Sequence, residues 1–110
     1  MTTDKTGAQT TVTAEADRFS IAVEDQTVGF TEFAERDGQR IFTHTEVDNA
    51  FEGRGLATIL IGEALARTRE AGKRIVPVCA MVENYVGKHH EFDDVVDPVD
   101  RDIKRWLQNS

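Results

Sequence analysis

Phe51-Glu52-Gly53-Arg54-Gly55-Leu56-Ala57-Thr58 joins a region of short alternating runs to a long helical stripe, and the construction of that junction decides the fold. Downstream of it, Ala57, Leu60, Ile61, Ala64, Leu65 and Thr68 fall at i, i+3, i+4, i+7, i+8 and i+11, one continuous helix face. Gly72 stands where a left-handed cap would end that helix. A helix start leaves four backbone N–H groups without internal partners, and a Ser, Thr, Asp or Asn side chain usually takes up some of them. Here Glu52-Gly53-Arg54-Gly55 precede Leu56 and supply no such cap. Glycines let the backbone approach a ligand closely and leave those N–H groups free for an anion, to which Arg54 could add charge-assisted hydrogen bonds. Two other phosphate motifs do not fit. The chain has no Gly-Lys-Ser/Thr, and Thr58 occupies a position where the dinucleotide fingerprint needs a small residue. On spacing alone, a plain strand-to-helix turn remains open beside the anion site.

Working outward, Phe19, Ile21 and Val23 alternate with polar or small residues, and Val28, Phe30 and Glu32 continue after a turn at Glu24-Asp25-Gln26. Asp37-Gly38 is a hairpin signal, because both central residues of a type I′ turn need positive φ. Arg40 to Val47 forms the third strand, with Ile41, Thr43, Thr45 and Val47 expected on one face and Phe42, His44 and Glu46 on the other. Three antiparallel strands in sequence order are expected. Residues 1–16 carry six threonines and little apolar material, so residues 1–17 read as a flexible tail.

Beyond the long helix, Ile75-Val76-Pro77-Val78-Cys79 reads as a fourth strand, with Pro77 tolerated only at an edge or bulge. Met81, Val82, Tyr85 and Val86 mark a short helix. Asp97 as cap, with Pro98 at the first position, predicts a last helix whose stripe is Val99, Ile103, Trp106 and Leu107. The expected class is therefore mixed α/β (α+β), with a domain over residues 18–96 and a helical extension over 97–110.

The 110 residues allow one compact core. A formal net charge of −7 from 13 basic and 20 acidic side chains argues against nucleic acid as a partner. No apolar run approaches the ~20 residues that span a bilayer, so no membrane is expected. Cys79 is the single cysteine, and the first residues lack the apolar core of a secretory signal. A cytoplasmic protein is expected. His89 and His90 with Glu91, Asp93 and Asp94 raise the question of a metal site, but adjacent histidines rarely converge on one ion, and none is predicted.

Four stretches in order, His44-Thr45-Glu46-Val47, Phe51 to Ala57, Val76-Pro77-Val78-Cys79 and Tyr85-Val86-Gly87-Lys88-His89-His90-Glu91-Phe92, resemble the GNAT superfamily of N-acetyltransferases. They are most similar to its small single-domain, YjdJ-like branch, over roughly Arg18 to Phe92. The resemblance implies a mixed, mostly antiparallel sheet flanked by helices, with acetyl-CoA wedged where two parallel strands splay apart. It implies a diphosphate loop of Glu52, Gly53, Arg54, Gly55, Leu56 and Ala57, followed by Thr58. Backbone contacts from Thr45 to Val47 would hold the pantetheine arm, and Lys88 and His89 the nucleotide end. Superfamily loops begin with Gln or Arg where this chain has Glu52, so Glu52 is expected to turn away from the diphosphate or to pair with Arg54.

Acetyl transfer needs a neutral amine at the thioester, a donor to its carbonyl and a proton acceptor. By resemblance the donor is a backbone N–H near Val47. His44 or Glu46 is the candidate base, and Tyr85 the candidate acid, although matching Lys88 to the family's lysine moves the tyrosine's place to Val86. Cys79 is a candidate nucleophile or a passive neighbour of the thioester. The implied activity is acetyl transfer from acetyl-CoA to a primary amine, by a monomer or homodimer. A non-catalytic acyl-CoA-binding or protein-interaction module on the same fold is the alternative, and a structural partner dimerising through the last helix is a third reading.

Overall fold

In a computed structural model, which describes residues 2–109, six strands form one sheet in the order of the chain. Strands β1 (Thr2–Thr3), β2 (Gln9–Ala14), β3 (Arg18–Val23), β4 (Gln26–Arg36) and β5 (Gln39–Val47) are antiparallel neighbours. The 15-residue helix α1 (Leu56–Glu70) then crosses over and delivers β6 (Arg74–Pro77) parallel to β5. Helices α2 (Ala80–Lys88) and α3 (Arg101–Gln108) follow, the second after a 3-10 segment at His90–Val95. This is the mixed, mostly antiparallel sheet flanked by helices that the sequence implies.

The β3–β4 turn carries positive φ at Glu24 and Asp25, and the β4–β5 turn at Asp37 and Gly38, as two-residue type I′ hairpins require. The α1 stripe buries Leu60, Ile61, Ala64, Leu65 and Thr68 against Phe19, Ile21, Val23, Phe33 and Phe42. Gly72, at φ 74°, turns the chain out of α1. Pro77 ends β6, a strand at the sheet edge, where its missing N–H costs no ladder bond.

Four expectations need correction. The flexible tail expected over residues 1–17 is, among the described residues, built into the sheet: Thr10 to Ala14 pair with β3, and Thr10 is buried. The threonines that look like disorder are good strand formers on a half-buried surface. Second, β5 does not alternate cleanly. Its register passes from Glu32↔His44 to Phe33↔Phe42, which leaves Thr43 as a bulge. The bulge moves Phe42 to the α1 side with Val47, while Ile41 packs on the opposite face with Val76 and Ile103. Third, the last helix is capped by Asp100, which accepts the Ile103 N–H at 2.9 Å, and not by Asp97. The Asp97 carboxylate is taken instead by Arg74 at 2.6 Å and Gln39 at 2.9 Å. The predicted stripe holds: Val99, Trp106 and Leu107 pack around buried Ile103, so α3 covers the second sheet face. Fourth, Cys79 does not close a strand but stands at the N-cap of α2.

Candidate functional site: a cleft at the splayed strands

Parallel pairing between β5 and β6 runs only from Gln39↔Arg74 to Phe42↔Pro77. The Cys79 N–H still bonds the Phe42 carbonyl at 2.8 Å, after which the chain enters α2 and leaves β5 to continue alone. On the other side of β5, Asp48 N–H donates to Val28 O at 2.7 Å. Antiparallel peptide groups alternate in direction, so those of Glu46 point toward β4, and those of Thr45 and Val47 toward the open side.

The start of α1 faces this open edge. Gly53 and Gly55 both hold positive φ, 79° and 78°, which other residues adopt only with strain. Gly55 is the N-cap, and no side chain among the described residues caps the helix. Helix start and strand edge line one open cleft of about 870 Å³, with Thr45, Glu46, Val47, Gly53, Gly55 and Ala57 on its walls. Glu52, Leu56 and Thr58 also line it. A smaller cleft of about 220 Å³, bounded by Asn84, Tyr85, Lys88 and His89, shares Ala57, Thr58 and Met81 with the first. Every predicted loop residue except Arg54 therefore borders the larger space, and Lys88 and His89 border its side chamber.

Thr45 is buried, and its hydroxyl lies 2.9 Å from that of Thr31. The Cys79 thiol donates to the Thr45 hydroxyl oxygen at 3.3 Å. His44 and Glu46 flank Thr45 and so point to the opposite sheet face. There His44 Nε2 meets Glu46 Oε1 at 2.9 Å, both side chains more than half exposed. The His44 ring lies 6.1 Å from that of Phe30, whose face is covered by Arg18 at 4.5 Å. The structure thus keeps His44 and Glu46 together but separates them from the Cys79 thiol.

Tyr85 stacks on His89 with ring centroids 4.1 Å apart, and its hydroxyl is turned onto α1 at Gly62, where a Cβ would stand only 2.8 Å away. Burial, and then the charge of Glu91, push its pKa above the usual phenol range. His90 pairs with Asp93 at 3.1 Å, and among the described residues no three His, Cys, Asp or Glu side chains gather as metal ligands would.

Arg54 does not line the cleft. Its Nε bonds Asp4 Oδ2 at 2.8 Å, a terminal nitrogen donates to the Thr6 hydroxyl at 3.1 Å, and its guanidinium covers the Phe51 ring at 4.9 Å. Of the two alternatives expected for Glu52, pairing with Arg54 is not the one adopted: Arg54 pairs with Asp4, whose side chain is fully buried. The Asp4 carboxyl is held down at about 2, first by the Thr6 hydroxyl, then against burial by the Thr6 and Ala8 N–H groups and Arg54. Sequence reasoning misses this arrangement because its partners lie 50 residues apart. The available signal was Asp4-Lys5-Thr6-Gly7, in which an aspartate accepts from the backbone two residues on.

Comparison with known proteins agrees with this architecture. No curated protein matches the chain. The solution structure of a protein from Staphylococcus aureus described as GCN5-like superposes with a TM-score of 0.63 at 18% identity, over 83% of this chain and 91% of that one. At that identity the likeness is one of fold. The family described as GCN5-related N-acetyl-transferase matches residues 18–95, from the start of β3 to the end of the 3-10 segment. The chain belongs to the GCN5-related N-acetyltransferase family.

Proposed function

We propose that this protein transfers the acetyl group of acetyl-CoA to a primary amine by direct attack. The observation that carries the reading is the single cleft that joins an uncapped glycine helix start to an unpaired strand edge. The first suits a diphosphate, through free N–H groups and the helix dipole. The second offers the peptide groups of Thr45 and Val47 to an amide-bearing arm. An arm running from Val47 toward Thr45 brings the thioester beside Cys79, with a backbone N–H of this open edge as donor to its carbonyl. Glu46 lines the same cleft and holds His44, so this pair takes the amine proton, directly or through water. Cys79 is then a neighbour of the thioester, its thiol occupied with Thr45 and, among the described residues, no base in hydrogen-bond contact with it. On the four sequence motifs we further read the chain as one of the YjdJ-like branch, working in the cytoplasm.

Two observations favour a second reading, a non-catalytic acyl-CoA-binding module: the Tyr85 hydroxyl lies against Gly62, and the His44–Glu46 side chains pair on the far sheet face. Thermal unfolding with acetyl-CoA, CoA, ATP and NAD in parallel, followed by free-thiol release across an amine panel, separates the possibilities. Ligand at ~100 times its Kd adds roughly 2.7 kcal/mol, and each kcal/mol moves the midpoint of a domain this size by ~4–8 °C. An upward shift with acetyl-CoA and CoA only, together with turnover, is the expected result. Binding without turnover supports the module, and no shift at saturation overturns both. Cys79→Ser is expected to keep turnover within about threefold, a margin of under ~1 kcal/mol in the barrier. Abolished turnover in a folded Cys79→Ser protein would establish the covalent route instead.

A further inference from the structure

We infer that Lys5, from a segment ahead of the family match, binds the cofactor diphosphate in the role that Arg54 has given up. The inference rests on the reading above that the Gly53–Thr58 loop receives acetyl-CoA. Arg54 is the loop's own cation, yet it is occupied by Asp4 and Thr6 and laid over the Phe51 ring, and it does not line the cleft. The same docking fixes Lys5. Its N–H donates to the Arg54 carbonyl at 3.0 Å, so its backbone is tied to the loop itself.

The Lys5 stem then lies along Gly55. A Cβ at Gly55 would stand 3.2 Å from Lys5 Cε, 3.5 Å from Cγ and 3.7 Å from Cδ. Gly55 is thus required twice, for its positive φ and for the lysine laid across it. The stem thus ends at Cε against Gly55, which is both the N-cap of uncapped α1 and a residue of the cleft wall. Among the described residues Lys5 has no carboxylate in ion-pair contact, although its neighbour Asp4 is fully engaged. In a chain of net charge −7, a polyanionic ligand needs a local cation, and an unpaired one held at the loop meets that need. Residues 2–8 lie outside the 18–95 match.

Lys5 is exposed, and its replacement leaves the core untouched. Isothermal titration of the full chain and its Lys5→Ala, Lys5→Glu and Lys5→Arg variants tests the assignment, with acetyl-CoA, acetyl-dephospho-CoA and S-acetylpantetheine as ligands. Loss of a solvent-exposed charge-assisted contact is expected to weaken acetyl-CoA about five- to twentyfold in Lys5→Ala and further in Lys5→Glu. Lys5→Arg is expected to stay within about twofold, because it keeps the charge. The same loss with acetyl-dephospho-CoA, and none with S-acetylpantetheine, assigns the contact to the diphosphate. An unchanged acetyl-CoA Kd in Lys5→Ala overturns the inference while leaving the cofactor reading intact, and so does a loss confined to the ligand bearing the 3′-phosphate. Absence of any acetyl-CoA binding by the unaltered chain overturns the cofactor reading itself.

Discussion

Asp4 shows how one side chain can organise a distant loop. Its two oxygens receive the Thr6 hydroxyl at 2.7 Å, the Thr6 and Ala8 N–H groups at 2.8 and 3.1 Å, and Arg54. With its native pKa near 2, below the ordinary 3.8, the stabilisation is complete above about pH 4 and is lost as pH falls toward 2. The gap in thermal midpoint between the unaltered chain and Asp4→Asn is therefore expected to be widest above pH 4 and to close toward pH 2, as read by circular dichroism. Gly29 makes the opposite point, that an absent side chain can be structural. A Cβ there would meet the Glu46 carbonyl oxygen at 2.8 Å, a backbone atom that cannot swing aside. Gly29→Ala is expected to force β4 from β5, costing about 1–3 kcal/mol, as overpacking does. Denaturant titration checks the figure.

Among the elements, those whose side chains alternate or recur with one period were legible. The β3–β5 meander follows from two turns, and α1 follows from its stripe. Helix α3 was legible in its apolar face but not in its cap, because Asp97 and Asp100 are both suitable and only tertiary partners choose between them. Arg74 and Gln39 claim Asp97, which leaves Asp100 to the helix. The Thr43 bulge was invisible for a related reason: a period of two cannot register one extra residue. Strand β2 was missed because pairing along the backbone, more than buried apolar area, holds it to β3. Helix α3 is expected to behave as part of the domain. Ile103→Ala, which removes its buried contact with Ile41 and Val76, is expected to cost about 2–5 kcal/mol, whereas exposed Lys104→Ala should fall within about 0.5 kcal/mol. Urea unfolding of the two variants side by side measures the difference.

At the scale of the whole molecule, sheet and helices form three layers, α1 on one face and α3 on the other, and the cleft lies where the sheet comes apart. The loop of that cleft was readable from Gly53 and Gly55, because a helix without a cap is a local statement. The route of Arg54 was not, since it depends on a carboxylate at the other end of the chain. One consequence follows from the parallel pairing of β5 with β6. The hairpins β2–β3, β3–β4 and β4–β5 each close across a short turn, whereas Phe42 meets Pro77 only after the whole of α1 has been laid down between them. Contacts so distant in sequence pay their loop-closure entropy before they return anything. The meander can therefore condense early, while the strand edge and helix start that bound the cleft come into register late. Nascent chains still short of β6 would display a finished hairpin stack with no place yet for a ligand, so ligand can act only on the closing steps of folding.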